Sequence, residues 1–492
     1  MKRTFLSLIC ILASAAAVSA QDIHDGAAYR LNIERSLWYG TSCSAGLARE
    51  DMASWRNVAL GGSITGGSFT DAWDASRQNT MALGGDMLME IAGFKVAAEV
   101  NFDADRRHKS RYNNSLYDLE LDMPFFVALN DDEDFLWKRR SASVGIRAAS
   151  PLMLGDALSL GLGINFRGKG ANKNDAPTAR YNGFEMEIAP SATYAIDDDN
   201  ILGLTLSYKT MPATSRINAG GEATTVALMY GLGSFDNRWA GGDFGIGDIS
   251  YASSLMGADL FYNRENLLFQ VSLHKGGTTV KEAGTSFGQV DKFLVGAGLR
   301  YFASEDRGSV LNFDFDYNLN YWLKGGTTIA DNNLIAADLG FTRYTDIASD
   351  GSFDWTFGAG ADFNMISLRR YVPDATLKGN GITPYVMLGK NLKLAHESSL
   401  LVTGNLGYNF AFGAEYTYGG SKVDGNYFVN DMYSDEADYL GSYYIRAKVD
   451  ARYTYRLNTL LSAYAAVGGM MLMPTVSASS RVALALTVGV LF

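Results

Sequence analysis

The side chains in this sequence that could do chemistry are charged residues set at every second position of long apolar runs. Asp314 and Asp316 alternate with Phe313, Phe315 and Tyr317; Asp354 and Asp362 alternate in the same way with Phe353, Trp355, Ala361 and Phe363. Arg446, Lys448, Asp450 and Arg452 alternate with Ile445, Ala447, Val449, Ala451 and Tyr453. In extended chain a period of two puts each set on its own face. A face of ionised groups can line water and sort solutes by charge.

Covalent chemistry would need His or Cys beside a carboxylate or hydroxyl. The four histidines are His24, His108, His274 and His396; His108 follows Asp103 and Asp105, and His274 follows Ser272. Neither His-Glu-x-x-His nor a paired Cys-x-x-Cys accompanies them. The two that could meet are read as isolated histidines, and the sequence predicts no enzyme, no metal site and no cofactor.

The elements that would carry these faces follow from composition. The 492 residues hold 53 Gly, 27 Tyr and 26 Phe against 8 Pro and 2 Cys, which favours sheet over helix. Hydrophobic residues make up 47% of the chain, yet mean hydropathy is −0.04, so apolar and polar residues are finely interleaved. The net charge of −11 shows no basic excess of the kind that binds nucleic acid.

Residues 1–20 read as a secretory signal, with Lys2 and Arg3, an apolar run from Phe5 to Val18, and Val18-Ser19-Ala20 as the cleavage site. Removing them takes away Lys2, Arg3 and Cys10, so −11 becomes −13 and Cys43 is the one cysteine left in the mature chain, which excludes an intramolecular disulfide. Beyond the signal no apolar stretch reaches about 18 residues. The nearest, Leu460 to Met473, is broken by Ser462 and Gly468-Gly469.

The alternating segments are too long for a soluble sandwich. Val310 to Leu323 keeps one apolar and one polar face throughout, whereas sandwich strands run about 5 to 6 residues and tilted membrane strands about 9 to 11. The expected fold is therefore all-β: a single transmembrane antiparallel up-and-down barrel of about 18 strands, with 14 or 16 as alternatives. It fills residues 55–492 and follows a periplasmic arm or lumen plug at 21–54. Expected strands include 94–104, 333–345, 352–365, 382–394, 399–413 and 439–456. Long extracellular loops are expected near 104–137, 169–182, 212–249, 277–288, 367–380 and 414–438. The strand-like stretch Leu116 to Leu129 is placed in an extracellular excursion, and Gly241 to Asp248 in a loop folded inward as a constriction.

The last strand, with Val482, Leu484, Leu486, Val488, Val490 and Phe492 on one face, resembles the C-terminal signal by which outer-membrane barrels are handed to their insertion machinery. The whole mature chain resembles the outer-membrane β-barrels of Gram-negative bacteria, in particular barrel families of Bacteroidota. Ser44-Ala45-Gly46-Leu47-Ala48 is similar to the Asn-Pro-Ala-Gly-Leu-Ala element of long-chain fatty-acid transporter barrels, with Cys43-Ser44 in place of Asn-Pro. The resemblance implies the bacterial outer membrane, contact with its lipid and lipopolysaccharide, the barrel-assembly machinery as a partner, and Phe492 as the assembly signal.

With apolar positions facing lipid, the inward face carries a basic wall of Arg139, Arg147, Arg167 and Lys209. An acidic wall of Asp314, Asp316, Asp338, Asp354 and Asp362 stands opposite, with a mixed strand of Arg446, Lys448, Asp450 and Arg452. Facing walls of opposite sign would set a transverse field across a porin-like channel for small polar solutes. The alternative is a non-conducting barrel that serves as a binding or scaffold subunit of an outer-membrane uptake complex.

Overall fold

The computed structural model describes residues 23, 25–72, 74–110, 112–113, 125–129, 136–173, 178–218, 224–230, 235–240, 248–304, 306–372, 374–395, 397–420, 427–476 and 479–492. The expected signal segment, His24, His396, residues 114–124 and 241–247 lie outside them.

Eighteen strands form one antiparallel sheet. They are β1 (Trp55–Gly67), β2 (Ala75–Ile91), β3 (Phe94–Ser110), β4 (Leu136–Ala149), β5 (Leu158–Lys173), β6 (Thr178–Ala195), β7 (Asn200–Asn218), β8 (Ile249–Arg264) and β9 (Leu267–Glu282). They continue as β10 (Thr285–Phe302), β11 (Ser309–Lys324), β12 (Thr327–Thr345), β13 (Trp355–Tyr371), β14 (Asp374–Leu394), β15 (Ser398–Tyr418), β16 (Tyr444–Asn458), β17 (Leu461–Pro474) and β18 (Arg481–Leu491). Each pairs with its sequence neighbour, and β18 pairs back onto β1 from Asn57↔Leu491 to Gly67↔Arg481. The last closing bonds join Arg56 and Phe492, whose amides and carbonyls exchange at 2.6 and 2.8 Å. Closure leaves no open edge.

The alternation sorts as membrane physics requires. Leu160, Leu162, Ile164 and Phe166 of β5 and Leu484, Leu486 and Val488 of β18 are exposed on the outer wall, while Ser159, which precedes Leu160, and Thr193 and Thr205 on the next two strands are completely buried inside. A closed barrel that is apolar outside and polar inside satisfies every backbone group without water. One end carries tight connections such as Ala92-Gly93, whose φ of 52° and 81° make the turn that suits twisted antiparallel strands. In outer-membrane barrels this short-turn end faces the periplasm.

Several strands run further at the other end than expected. β9 and β10 continue through the predicted 277–288 loop to a two-residue turn at Ala283-Gly284, and β13 and β14 consume most of 367–380. The 169–182 loop is likewise mostly strand. The segment Phe125–Leu129 does pair outside the wall, but its partner is another loop. It joins Thr224–Tyr230, which with Phe235–Ala240 and Tyr112–Asn113 makes a separate four-stranded sheet that links the β3–β4 and β7–β8 connections. Residues 427–440, spanning the end of the expected 414–438 loop and the start of the expected 439–456 strand, are helix, and the strand begins at Tyr444.

Among the described residues two helices and a 3-10 turn complete the structure. α1 (Gly26–Glu34) starts at Asp25, whose carboxylate accepts from Ala27 N at 2.7 Å. A 3-10 turn follows at Ser44–Arg49. α2 (Tyr427–Leu440) lies between β15 and β16 on the extracellular side and packs on β14 and β15.

Candidate functional site

Residues 25–54 lie across the short-turn end of the barrel and touch strands around the whole circumference. Leu47 packs with Trp55, Leu88, Ala97, Ala149 and Leu491 of β1 to β4 and β18. Leu37, Trp38, Cys43 and Ala45 meet Phe261, Leu268, Phe302 and Val310 of β8 to β11. Ala27 and Leu31 of α1 meet Tyr344 and Leu401 of β12 and β15 together with Phe353. Ala45 N donates to Ser191 Oγ of β6 at 3.0 Å, so the Ser44–Ala48 element is the part of the 3-10 turn seated on the wall. Gly161 of β5 permits that seat, because a Cβ there would stand 2.2 Å from Ala45 N.

Arginines of the wall and of the segment hold the joint through backbone carbonyls. Arg147 donates to Tyr39 O at 2.7 Å and Thr41 O at 2.9 Å; Arg49 donates to Asp156 O and Ala157 O at 2.6 and 2.7 Å. Arg452 stacks between Tyr464 and Tyr29, 3.7 and 5.5 Å from their ring centroids. Asp86 collects Tyr29 Oη and Trp55 Nε1 at 2.7 Å each and Asn57 Nδ2 at 2.8 Å. Burial pushes the Tyr39 hydroxyl up to about 12, so it stays neutral.

The predicted basic wall is thereby divided. Arg147 is committed to the N-terminal segment, and Lys209 pairs with Glu185 on the adjacent strand at 2.5 Å. Arg139 stands opposite Asp105 and Arg167 opposite Glu185 in the strand register. In the mixed strand Arg446 reaches Asp362 at 2.7 Å and Lys448 meets Asp450 at 3.1 Å.

The acidic wall holds together more closely. Asp314 of β11 faces Asp338 of β12, which faces Asp362 of β13, so three carboxylates stand side by side on neighbouring strands. Asp316 sits two residues beyond Asp314 on the same face. Asp354 is the correction: β13 begins after it, and it pairs at 2.6 Å with Lys390, whose Nζ lies 4.3 Å from the centroid of outward-facing Trp355. It belongs to the periplasmic rim, where the strand alternation that would turn it inward has not started.

Above the carboxylate row the lumen opens into a cavity of about 670 Å³ beneath α2, lined by Asp259, His274, Leu294, Asp316, Leu334 and Ile366 among others, with Leu440 of α2 reaching into it. Asp259 accepts from Ser42 of the N-terminal segment on one oxygen and meets His274 Nε2 at 2.9 Å with the other. The inward leucines and Ile366 were not expected as lumen residues. Their signal was present in places where alternation fails on the apolar side: Phe293-Leu294-Val295, Leu334-Ile335 and Met365-Ile366.

His108 lies on β3 and His274 on β9, six strands apart in the sheet. A Gly-x-Ser-x-Gly spacing does occur, at Gly284–Gly288, on the tip of the β9–β10 hairpin, where antiparallel strands replace the strand-to-helix elbow that exposes a serine nucleophile.

A closed eighteen-stranded barrel with an apolar exterior and a charged interior defines an integral protein of the bacterial outer membrane. Within that class the chain belongs to a family of unknown function, DUF6850, which matches residues 44–492. No curated protein matches the sequence. Among solved structures the chain is similar to CdiB from Acinetobacter baumannii, with 10% identity, a TM-score of 0.36 and coverage of 88% of this chain and 60% of that one. It therefore spans less than two thirds of that protein's length. It is also similar to BauA, the ferric preacinetobactin receptor of Acinetobacter baumannii (8% identity, TM-score 0.39, 89% and 80% covered). The toluene transporter TbuX of Ralstonia pickettii is similar too (8%, 0.31, 91% and 91%).

Proposed function

We propose that this protein is a porin-like channel for small polar solutes whose periplasmic mouth is closed by residues 25–54 acting as a plug. The observation that carries the reading is the ring of contacts between that segment and strands from β1 to β18. A solute crossing the barrel has to displace or pass the segment, and the charged lumen sets which solutes reach it. On this reading the surroundings are outer-membrane lipid and lipopolysaccharide, the partner in biogenesis is the barrel-assembly machinery, and no catalytic step is assigned.

Gly161→Val tests it. The inward side chain would occupy the space of the Ser44–Ala45 backbone and unseat the 3-10 turn, while a β-branched residue suits the strand itself. In planar bilayers the wild-type protein should conduct in rare, small steps and the variant in frequent, larger ones. Frequent large steps from the wild type would refute the plug. Silence from both would refute the channel and leave the barrel as a binding or scaffold subunit.

A further inference from the structure

We infer that the cavity beneath α2 binds small organic cations with an aliphatic body. The inference deepens the channel reading and rests on solutes reaching the lumen.

The strand registers stack three rows of inward side chains down the wall. The outermost row runs His274, Leu294, Asn318, Leu334, Ile366, and Leu440 closes over it from α2. The next row runs Asp259, Ser272, Gly296, Asp316, Ala336, Asn364. The third is the carboxylate row Asp314, Asp338, Asp362. Moving inward, a solute meets aliphatic surface, then a recess, then negative charge.

The recess is made by small residues. A Cβ on Gly296 would stand 3.3 Å from both Asp316 Oδ1 and Ser272 Cβ, so glycine there leaves the Asp316 carboxylate open to the cavity. Asp316 makes no hydrogen bond or ion pair among the described residues, whereas Asp259 is already held by Ser42 and His274. Neither lysine nor arginine lines the cavity. Among the described residues Arg446 forms the ion pair with the carboxylate row, at Asp362. Two residues of strand separate the aliphatic row from Asp316, about 7 Å, which is the reach of a short alkyl chain ending in an ammonium group. A volume of about 670 Å³ suits such a molecule.

Three probes of six carbons each separate charge from apolar fit: hexylammonium, hexanol and hexanoate, titrated calorimetrically into the full-length protein in detergent micelles. Hexylammonium should bind about tenfold or more tightly than hexanol, since a charged hydrogen bond to Asp316 distinguishes them, and hexanoate should show no saturable binding. Asp316→Asn, which keeps size and shape, should bring hexylammonium down to the level of hexanol. Gly296→Leu should abolish saturable binding of both by filling the recess. Hexanoate binding as tight as that of hexylammonium, or an unchanged hexylammonium affinity in Asp316→Asn, would overturn the inference. Conductance is read separately: charge-selective binding in a protein that never conducts removes the channel and keeps the site, and conduction without such binding does the reverse.

Discussion

Arg147 of β4 and Tyr39 of the N-terminal segment are joined twice. The guanidinium donates to the tyrosine carbonyl at 2.7 Å and its carbon lies 5.0 Å from the centroid of the same residue's ring. Arg147→Ala leaves the part-buried carbonyls of Tyr39 and Thr41 without their donor, each at a cost below the roughly 1–3 kcal/mol of a fully buried group. Protection from hydrogen exchange over residues 36–50 should fall while the strands keep theirs. Equal protection in both proteins would show that the arginine does not hold the segment.

Glu436 gives α2 a dependence on pH. Its carboxylate accepts from Ala72 N at 2.9 Å, and burial, with Asp71 adding repulsion, pushes it up to about 7. The docked helix therefore favours the neutral carboxyl. Docking is firmest below the ordinary carboxylate value near 4.5, weakens as pH rises, and has lost this contribution above about 7. Exchange protection of residues 430–440, corrected for intrinsic rates, should fall between pH 5 and 8. In Glu436→Gln, which keeps an acceptor for Ala72, the protection should be level across that range.

The exposed pair Lys378–Glu415, 2.8 Å apart and about half exposed on both sides, should contribute little. Pairs of this kind are worth about 0–1 kcal/mol. Lys378→Ala is expected to leave the unfolding midpoint in denaturant within error of the wild type; a large drop would mean that the pair is coupled to structure beyond the rim.

Removing Phe492 takes away both backbone bonds to Arg56 at the closing seam. A smaller fraction of newly made protein should then migrate as the compact, heat-modifiable barrel on electrophoresis. An undiminished fraction would mean that the rest of the β1–β18 ladder closes the sheet unaided.

The eighteen strands could be counted in the sequence because lipid imposes strict alternation, and strand ends at the short-turn side fall within a few residues of expectation. Most of the other ends lie beyond where the pattern places them, whereas β1 and β18 end and begin within a residue of expectation and β16 begins at Tyr444 rather than 439. β14 starts at Asp374 rather than near 382, since Thr376, Lys378 and Asn380 carry the outward face there. Backbone pairing continues into water after the apolar face has ended, and only the latter is visible as a pattern. The charged lumen residues were found by the same period of two, but their partners were not. Arg147 and Arg452 bind a segment far away in sequence, and no local spacing announces that Ser42 reaches Asp259. α2 was hidden in a loop rich in acids and tyrosines, because Met432 and Tyr433 bury against the rim rather than repeat along a long apolar stripe.

The contacts of residues 25–54 draw on strands from β1 through β18, so no half-built sheet offers them a complete berth. The expected order of assembly is that the wall closes first and the segment settles last, although it leads the barrel in the chain. On the plug reading proposed above, the newly closed cylinder would stay open until the segment settles, and the speed of that last step would set how long each new molecule leaks.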